Sequence, residues 1–205
     1  METSEREFFK YDDYFIDEKV AFLKFTNTYR IYNSAGERIG AIKETMPAVL
    51  KVLSLILSKA FFPFRLDIVD LEGRTLAAIK RGWTFLMSNI TVLDSQGKIT
   101  ARIKQRFRVF KPAFSILDPD NNFIAAITGD WIAWHFDITA PADNNGGGVV
   151  PIGTITKKWN GVLKETFTTA DKYIVSLNRG AVKEDRKIAV VAAAITIDMV
   201  LKESK

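Results

Sequence analysis

The sequence predicts a mainly β fold, in which antiparallel hairpins close into a barrel around one hydrophobic helix near the C-terminus. Two observations support this fold class. A strand–turn–strand pattern recurs along most of the chain, and the segment from Ile188 to Leu201 is apolar on nearly all sides. A long meander of hairpins usually closes into a barrel, because closure removes the exposed edge strands. A single domain over residues 1–205 is expected for a barrel of this length.

The hairpin pattern recurs in five loose copies. They begin at Tyr29, Leu66, Ile90, Phe114 and Phe136. In each copy, β-branched or aromatic residues alternate with polar ones, as in a strand with one buried face. In the first four copies the turn carries a glycine or, in the fourth, the pair Asn121-Asn122, and these residue types tolerate the positive φ of a tight hairpin. The fifth copy has a longer loop, from Pro141 to Gly148.

Two segments have a helical rather than a strand pattern. Ala48 to Phe62 has a narrow polar stripe and ends at Pro63, which predicts one additional helix near 48–62. A helix flanking the barrel is favoured, and an interfacial membrane helix is the alternative. Ile188 to Leu201 is too short for most bilayer spans, so we expect it to be the central helix of the barrel. A lipid anchor is the second interpretation of that segment.

Composition excludes several classes of site. The chain has no cysteine, and its acidic, polar N-terminus lacks the features of a secretory signal, so we expect an intracellular protein that is soluble or peripherally membrane-associated. His135 is the single histidine, which leaves little material for a zinc site or a Ser-His-Asp triad. We therefore expect no catalytic residues, no metal site, no cofactor and no enzyme activity. The net charge of +5 favours anionic partners.

A strongly basic strand is the best candidate for a binding site. Between Lys98 and Val109, cations occupy most even positions and apolar residues most odd ones, with no acid in the stretch. Period-two alternation sends the cations to one face. Nearby closing strands add further cations in equivalent places, which suggests part of a basic belt. The predicted binding residues for anionic lipid are Arg102, Lys104, Arg106, Arg108, Lys111, Lys80 and Arg81. The alternative is a solvated face whose cations pair with acids of adjacent strands.

The stretch IGTITKKWNGVLKETFTTADKY, from Ile152 to Tyr173, together with the apolar segment after it, resembles the C-terminal half of the phospholipid scramblase family. The resemblance places the chain in the Tubby C-terminal-like and LURP-one-related superfamily and implies about twelve strands around a central helix. The proline-rich region and cysteine cluster of animal scramblases are missing. Where the family's proposed calcium segment begins, Asp171 is followed by Lys172, and one carboxylate cannot supply the several oxygens that calcium needs.

These observations favour a scramblase-like protein that binds anionic phospholipid membrane surfaces. Transbilayer lipid movement stays open, because fold resemblance does not transfer activity. The alternative is a nucleic-acid or protein-interaction module that uses the same basic strand. The sequence does not predict an oligomeric state.

Overall fold

The fold is an antiparallel β-barrel filled by a helix. The computed structural model describes residues 3–19, 28–45, 62–83, 89–106, 113–130, 132–142, 147–157 and 172–203. Two helices lie in these ranges: α1 (Thr3–Phe9) and α2 (Glu184–Glu203). The strands are β1 (Asp13–Lys19), β2 (Thr28–Tyr32), β3 (Arg38–Thr45), β4 (Phe64–Val69), β5 (Thr75–Arg81), β6 (Asn89–Asp94), β7 (Ile99–Arg106), β8 (Ala113–Leu117), β9 (Phe123–Asp130), β10 (His135–Pro141), β11 (Val149–Thr156) and β12 (Lys172–Leu177).

The twelve strands of the described residues close into one barrel, and every neighbouring pair is antiparallel. Strands follow one another in chain order from β2 to β12, and β1 closes the ring between β12 and β2. The predicted fold class, including the strand number that the family resemblance implied, is confirmed. Closure leaves no unpaired edge, which is the reason that a meander of this length is stable as one layer.

Tight hairpins gather at one end of the barrel, which we call the turn end. The turns that follow β2, β4, β6 and β8 lie there, and positive φ angles occur at Gly36, Gly73, Gly97 and Asn121. In the turn after β8, the carboxylate of Asp118 accepts hydrogen bonds from the backbone amides of Asp120 and Asn122. The Asn122 side chain donates a further bond at 2.8 Å and holds the pKa of Asp118 below its usual range. The hairpin predictions are therefore confirmed in these turns.

The opposite end of the barrel, where β1, β3, β5, β7, β9 and β11 finish, is the far end. The predicted helix from Ala48 to Phe62 belongs to the sequence that joins β3 to β4. All of it except Phe62 lies outside the described residues, and Phe62 is buried.

The predicted central helix is confirmed. α2 packs inside the barrel, and each of its side chains from Ile188 to Asp198 is buried. The inward positions of the strands surround it, with Ile42, Ile79, Ile103 and other branched residues fully buried. Three consecutive alanines, Ala192 to Ala194, are completely buried, and their small side chains let the helix backbone approach the strands closely. An all-round apolar helix needs such an enclosure, since it has no polar face for water.

Both helices meet at the turn end. α1 places Phe8 and Phe9 in the core, and the buried carboxylate of Glu5 accepts a hydrogen bond from the backbone amide of Ser95. Lys187, near the start of α2, is also buried, and its ammonium donates to the Asp12 carboxylate at 2.8 Å. α1 thereby covers part of the turn end and is attached to a hairpin, while α2 is attached to the chain segment before β1.

Gly129 of β9 illustrates how tightly adjacent strands pack, and it supports a first prediction. A Cβ at this position would overlap the carbonyl oxygen of His135 and lie 2.5 Å from the Cα of Phe136. Because backbone cannot move away cheaply, we expect Gly129→Ala to lower the free energy of unfolding by about 1–3 kcal/mol in urea titrations. Gly82→Ala is the matched control, since nothing lies within 4 Å of its added methyl group. Equal stability of the two variants would contradict the predicted overlap.

Candidate functional site

The strand register assembles a group of cations on the outer wall of the barrel. Lys80 of β5 pairs with Thr91 of β6, and Thr91 pairs in turn with Arg102 of β7. Lys104 follows Arg102 by two residues on the same strand and therefore points to the same side. We call Lys80, Arg102 and Lys104 the basic patch. Strand spacing places Lys80 about 10 Å from Arg102, and Lys104 about 7 Å further along β7.

The alternation that the sequence predicted for β7 is confirmed. Ala101 and Ile103 are fully buried against the interior, whereas Lys104 is exposed and Arg102 is half-buried. The Arg102 guanidinium donates a hydrogen bond to the carbonyl oxygen of Pro119, which fixes it along the wall toward the turn end. Lys80 is exposed on the neighbouring wall. The patch thus combines one positioned guanidinium with two ammonium groups in solvent.

The strands on either side of β7 place neutral residues beside the patch. Arg102 faces Thr91 and Leu117, and Lys104 faces Asn89 and Ser115. Within the described part of the chain, none of the three patch cations forms an ion pair. These contacts do not support the alternative in which acids of adjacent strands neutralise the face.

On the other side of Lys80, the register partner is Arg65 of β4. The Arg65 guanidinium binds the Asp67 carboxylate at 2.8 Å, and this hydrogen bond raises the pKa of Arg65. Asp67 also accepts a hydrogen bond from Thr45. Asp67 therefore binds Arg65 and Thr45, and no ion pair between Lys80 and a described acid is seen.

Arg81 does not lie with the exposed cations, and the prediction that it belongs to the exposed binding surface is wrong. Its side chain is 3% exposed, it donates to the carbonyl oxygen of Phe62 at 2.9 Å, and its guanidinium lies 4.5 Å from the centre of the Phe64 ring. Because Lys80 points outward, period-two alternation turns the next residue inward. An interior carbonyl and an aromatic face then replace water around the charge.

Three other predicted binding residues lie at or beyond the end of β7. Arg106 is the last residue of that strand, and its side chain lies outside the described part of the structure. Arg108 and Lys111 also lie outside the described residues, as does Asp171, in the stretch that corresponds to the family's proposed calcium segment. The equivalence of closing strands is supported by Lys43, which is exposed on β3 like Lys80 on β5 and Lys104 on β7.

A depression in the surface lies at the turn end, and its charged residues differ from those of the basic patch. It has a volume of about 1280 Å³ between α1 and the turns that follow β2 and β4. Cations and acids both line it, and Arg74 binds Asp70 at 2.6 Å and also Glu72. Internal pairing of this kind makes it a poor site for an anion. Across the described residues, no group of three or more His, Asp or Glu side chains could hold a metal ion.

The sequence analysis missed two exposed apolar side chains at the far end. Trp83, two residues after β5, is 60% exposed and lies with its ring centre 5.4 Å from that of Phe62. Ile132, in the connection between β9 and β10, is 79% exposed. Both stand in short, acid-free connections, GWTFLMS and WIAW, and this composition was the signal in the sequence. Single exposed apolar side chains are common on protein surfaces, so the significance of these two depends on the charged residues near them.

The fold and the patch together define a helix-filled antiparallel barrel with a cationic outer wall. The sequence pattern of the Scramblase family matches residues 20–204, so the chain belongs to that family. A search of curated proteins finds no match. The barrel is similar to the X-ray structure of a protein from Arabidopsis thaliana, with a TM-score of 0.52 at 8% identity over 96% of both chains. At that identity the likeness concerns the fold alone.

Membership of this family suggests an interaction with membranes or phospholipids. Neither the family nor the barrel is typical of enzymes. Among the described helices, none combines the length and hydropathy needed to cross a bilayer.

Proposed function

We propose that this scramblase-family protein binds the surface of anionic phospholipid membranes through the basic patch. The observation that carries the proposal is the trio Lys80, Arg102 and Lys104 on one wall, with neutral cross-strand neighbours around Arg102 and Lys104. Like charges on one sheet face repel each other, and an anionic surface offsets that repulsion. A binding role, rather than an enzymatic one, is also in keeping with a site made of cations alone.

Surface binding, rather than transbilayer lipid movement, is the activity that we propose. The barrel interior is occupied by α2, whose side chains from Ile188 to Asp198 are buried. A barrel filled by its own apolar helix offers no polar passage for a head group. Each lysine or arginine near an anionic surface contributes about 1 kcal/mol, so three cations support reversible attachment.

The test is cosedimentation with vesicles of phosphatidylcholine alone and with added phosphatidylserine. The triple variant Lys80→Ser, Arg102→Ser, Lys104→Ser is expected to bind the anionic vesicles up to about 100-fold more weakly than the parent chain. Binding of the parent should also weaken with added salt, because the interaction is between solvent-exposed charges.

A matched control removes three exposed cations from the turn end: Lys98→Ser, Arg179→Ser, Lys183→Ser. Both triple variants remove the same charge from a chain of net charge +5, so only position distinguishes them. Equal weakening by the two variants would show that net charge, not the patch, is responsible. Binding of the parent to duplex DNA but not to anionic vesicles would instead support the nucleic-acid alternative.

A further inference from the structure

The two ends of the barrel differ in their charged residues. Hairpins at the turn end carry both acids and cations, and the apolar side chains of Leu71, Phe123, Val149 and Val150 are also exposed there. The acids of these hairpins are Glu37, Asp70, Glu72, Asp94, Asp118 and Asp120. At the far end, the sequences 82–88, 107–112 and 131–134, which follow β5, β7 and β9, contain no Asp or Glu, whereas 158–171, which follows β11, contains Glu165 and Asp171. The connections after β5, β7 and β9 thus add no acid to the side of the barrel that carries the basic patch, which favours this side facing an anionic surface.

Trp83 is placed beside the basic patch. It lies three residues after Lys80, where the chain leaves β5 at the far end. Its contact with Phe62 holds one part of the ring, while 60% of the side chain remains in solvent. Tryptophan is enriched at membrane–water interfaces because its ring is amphipathic.

Ile132 lies at the same end, in a turn with hydrogen bonds to the Asp130 side chain. The Asp130 carboxylate accepts hydrogen bonds from the amides of Ile132 at 2.7 Å and Ala133 at 3.2 Å. Trp134 closes the turn with a φ of 50°, a conformation that non-glycine residues adopt only under local constraint. Ile132 is 79% exposed on this turn.

Cations surround the two apolar side chains. Lys80 and Lys104 lie near the ends of β5 and β7. Lys157 follows β11, and its ammonium lies 4.3 Å from the centre of the Trp134 ring. Acids also lie at this end, among them Glu44 on β3 and the exposed Asp130 at the end of β9. Strand spacing places the ends of β5 and β9 about 19 Å apart around the wall. A bilayer surface is broad enough to contact both at once.

From this arrangement we infer that the protein docks on an anionic bilayer with the far-end rim of β5 to β9. Trp83 and Ile132 enter the interfacial layer, and Lys80, Lys104 and Lys157 lie over the head groups. This inference rests on the proposed function and adds an orientation to it. The turn end, with α1 and the tight hairpins, then faces away from the membrane.

The test compares two double variants on the same anionic vesicles. Trp83→Ser with Ile132→Ser removes the exposed apolar side chains of the far end. The control variant, Leu71→Ser with Val149→Ser, removes two exposed apolar side chains of the turn end. Leu71 is 64% exposed and Val149 is 60% exposed. We expect the far-end double variant to bind about tenfold or more weakly than the parent, and the turn-end variant to bind like the parent.

A second measurement gives the orientation directly. Brominated phospholipids quench tryptophan that enters the bilayer, and the difference between the parent and Trp83→Phe isolates the signal of Trp83. We expect quenching of Trp83, and near-parental binding by Trp83→Phe, because phenylalanine retains an apolar ring. Circular dichroism confirms that each variant is folded.

The outcomes separate the two proposals. If the parent does not bind anionic vesicles, the proposed function fails, and the orientation fails with it. If the parent binds, but both double variants bind equally well or weaken equally, the docking orientation is overturned while the proposed function stands. Weakening confined to the far-end variant supports both.

Discussion

Ala193→Asp in the centre of α2 is expected to prevent stable folding. The alanine side chain is completely buried among strands on all sides. A carboxyl group there has neither water nor a hydrogen-bond partner around it. Burying it should lower the free energy of unfolding by about 5 kcal/mol or more. Such a loss is comparable with the whole stability of many domains. Soluble yield and urea unfolding, followed by circular dichroism, measure the effect.

The same substitution at an exposed site is the control. Ala181→Asp, in the turn before α2, is expected to leave stability nearly unchanged. A graded variant, Ala193→Val, should fold with a loss of about 1–3 kcal/mol from overpacking. The defect of Ala193→Asp should be smaller at about pH 4 than at pH 7, because burial raises the pKa of a carboxyl group and favours its neutral form. Near-parental stability of Ala193→Asp would show that α2 is not enclosed.

Lys187→Met is expected to detach the N-terminal segment from α2. The Lys187 ammonium donates to the carbonyl oxygens of Lys10 at 3.4 Å and Tyr11 at 2.9 Å, and binds Asp12 at 2.8 Å. Methionine keeps the side-chain length but leaves these oxygens without their donor. We expect a loss of about 3 kcal/mol in urea unfolding, since removing one partner of a buried, charged hydrogen-bond network is strongly destabilising.

Two variants show whether the buried network is responsible. Lys183→Met removes an exposed lysine near the same helix start and should change stability little. Asp12→Asn preserves both carbonyl contacts of Lys187 and should lose only part of the stability. Hydrogen exchange should become faster around residues 10–12 in Lys187→Met. Unchanged exchange there would contradict the role of Lys187 in holding this segment.

Much of the barrel was predictable because its local signals agree with one another. Strand alternation, turn glycines and the apolar segment from Ile188 to Leu201 each predict an element that the structure contains. Arg81 is predicted at the exposed surface because of its charge, although strand alternation favours an inward position. Alternation places it inward once Lys80 points outward, but its interior partner, the Phe62 carbonyl, lies 19 residues earlier in the chain. Interior acceptors of that kind are invisible to a local pattern.

The candidate site was predicted only in outline. The sequence identified Lys80, Arg102 and Lys104 as outward-pointing cations, but it did not show that they lie beside one another on adjacent strands. Their alignment depends on the register of β5, β6 and β7, which includes a shift between Val92 and Leu93. A shift by one residue would send side chains to the opposite face. The exposure of Trp83 and Ile132 likewise depended on neighbours distant in the chain.

The sequence by itself determined the hairpins and the central helix, because residue periodicity and turn chemistry act over a few neighbouring positions. Only the tertiary structure decided which strands are neighbours, which charges have partners, and which apolar side chains are exposed beside the cations. These properties depend on contacts between residues far apart in the chain, and closure of the barrel brings those residues together.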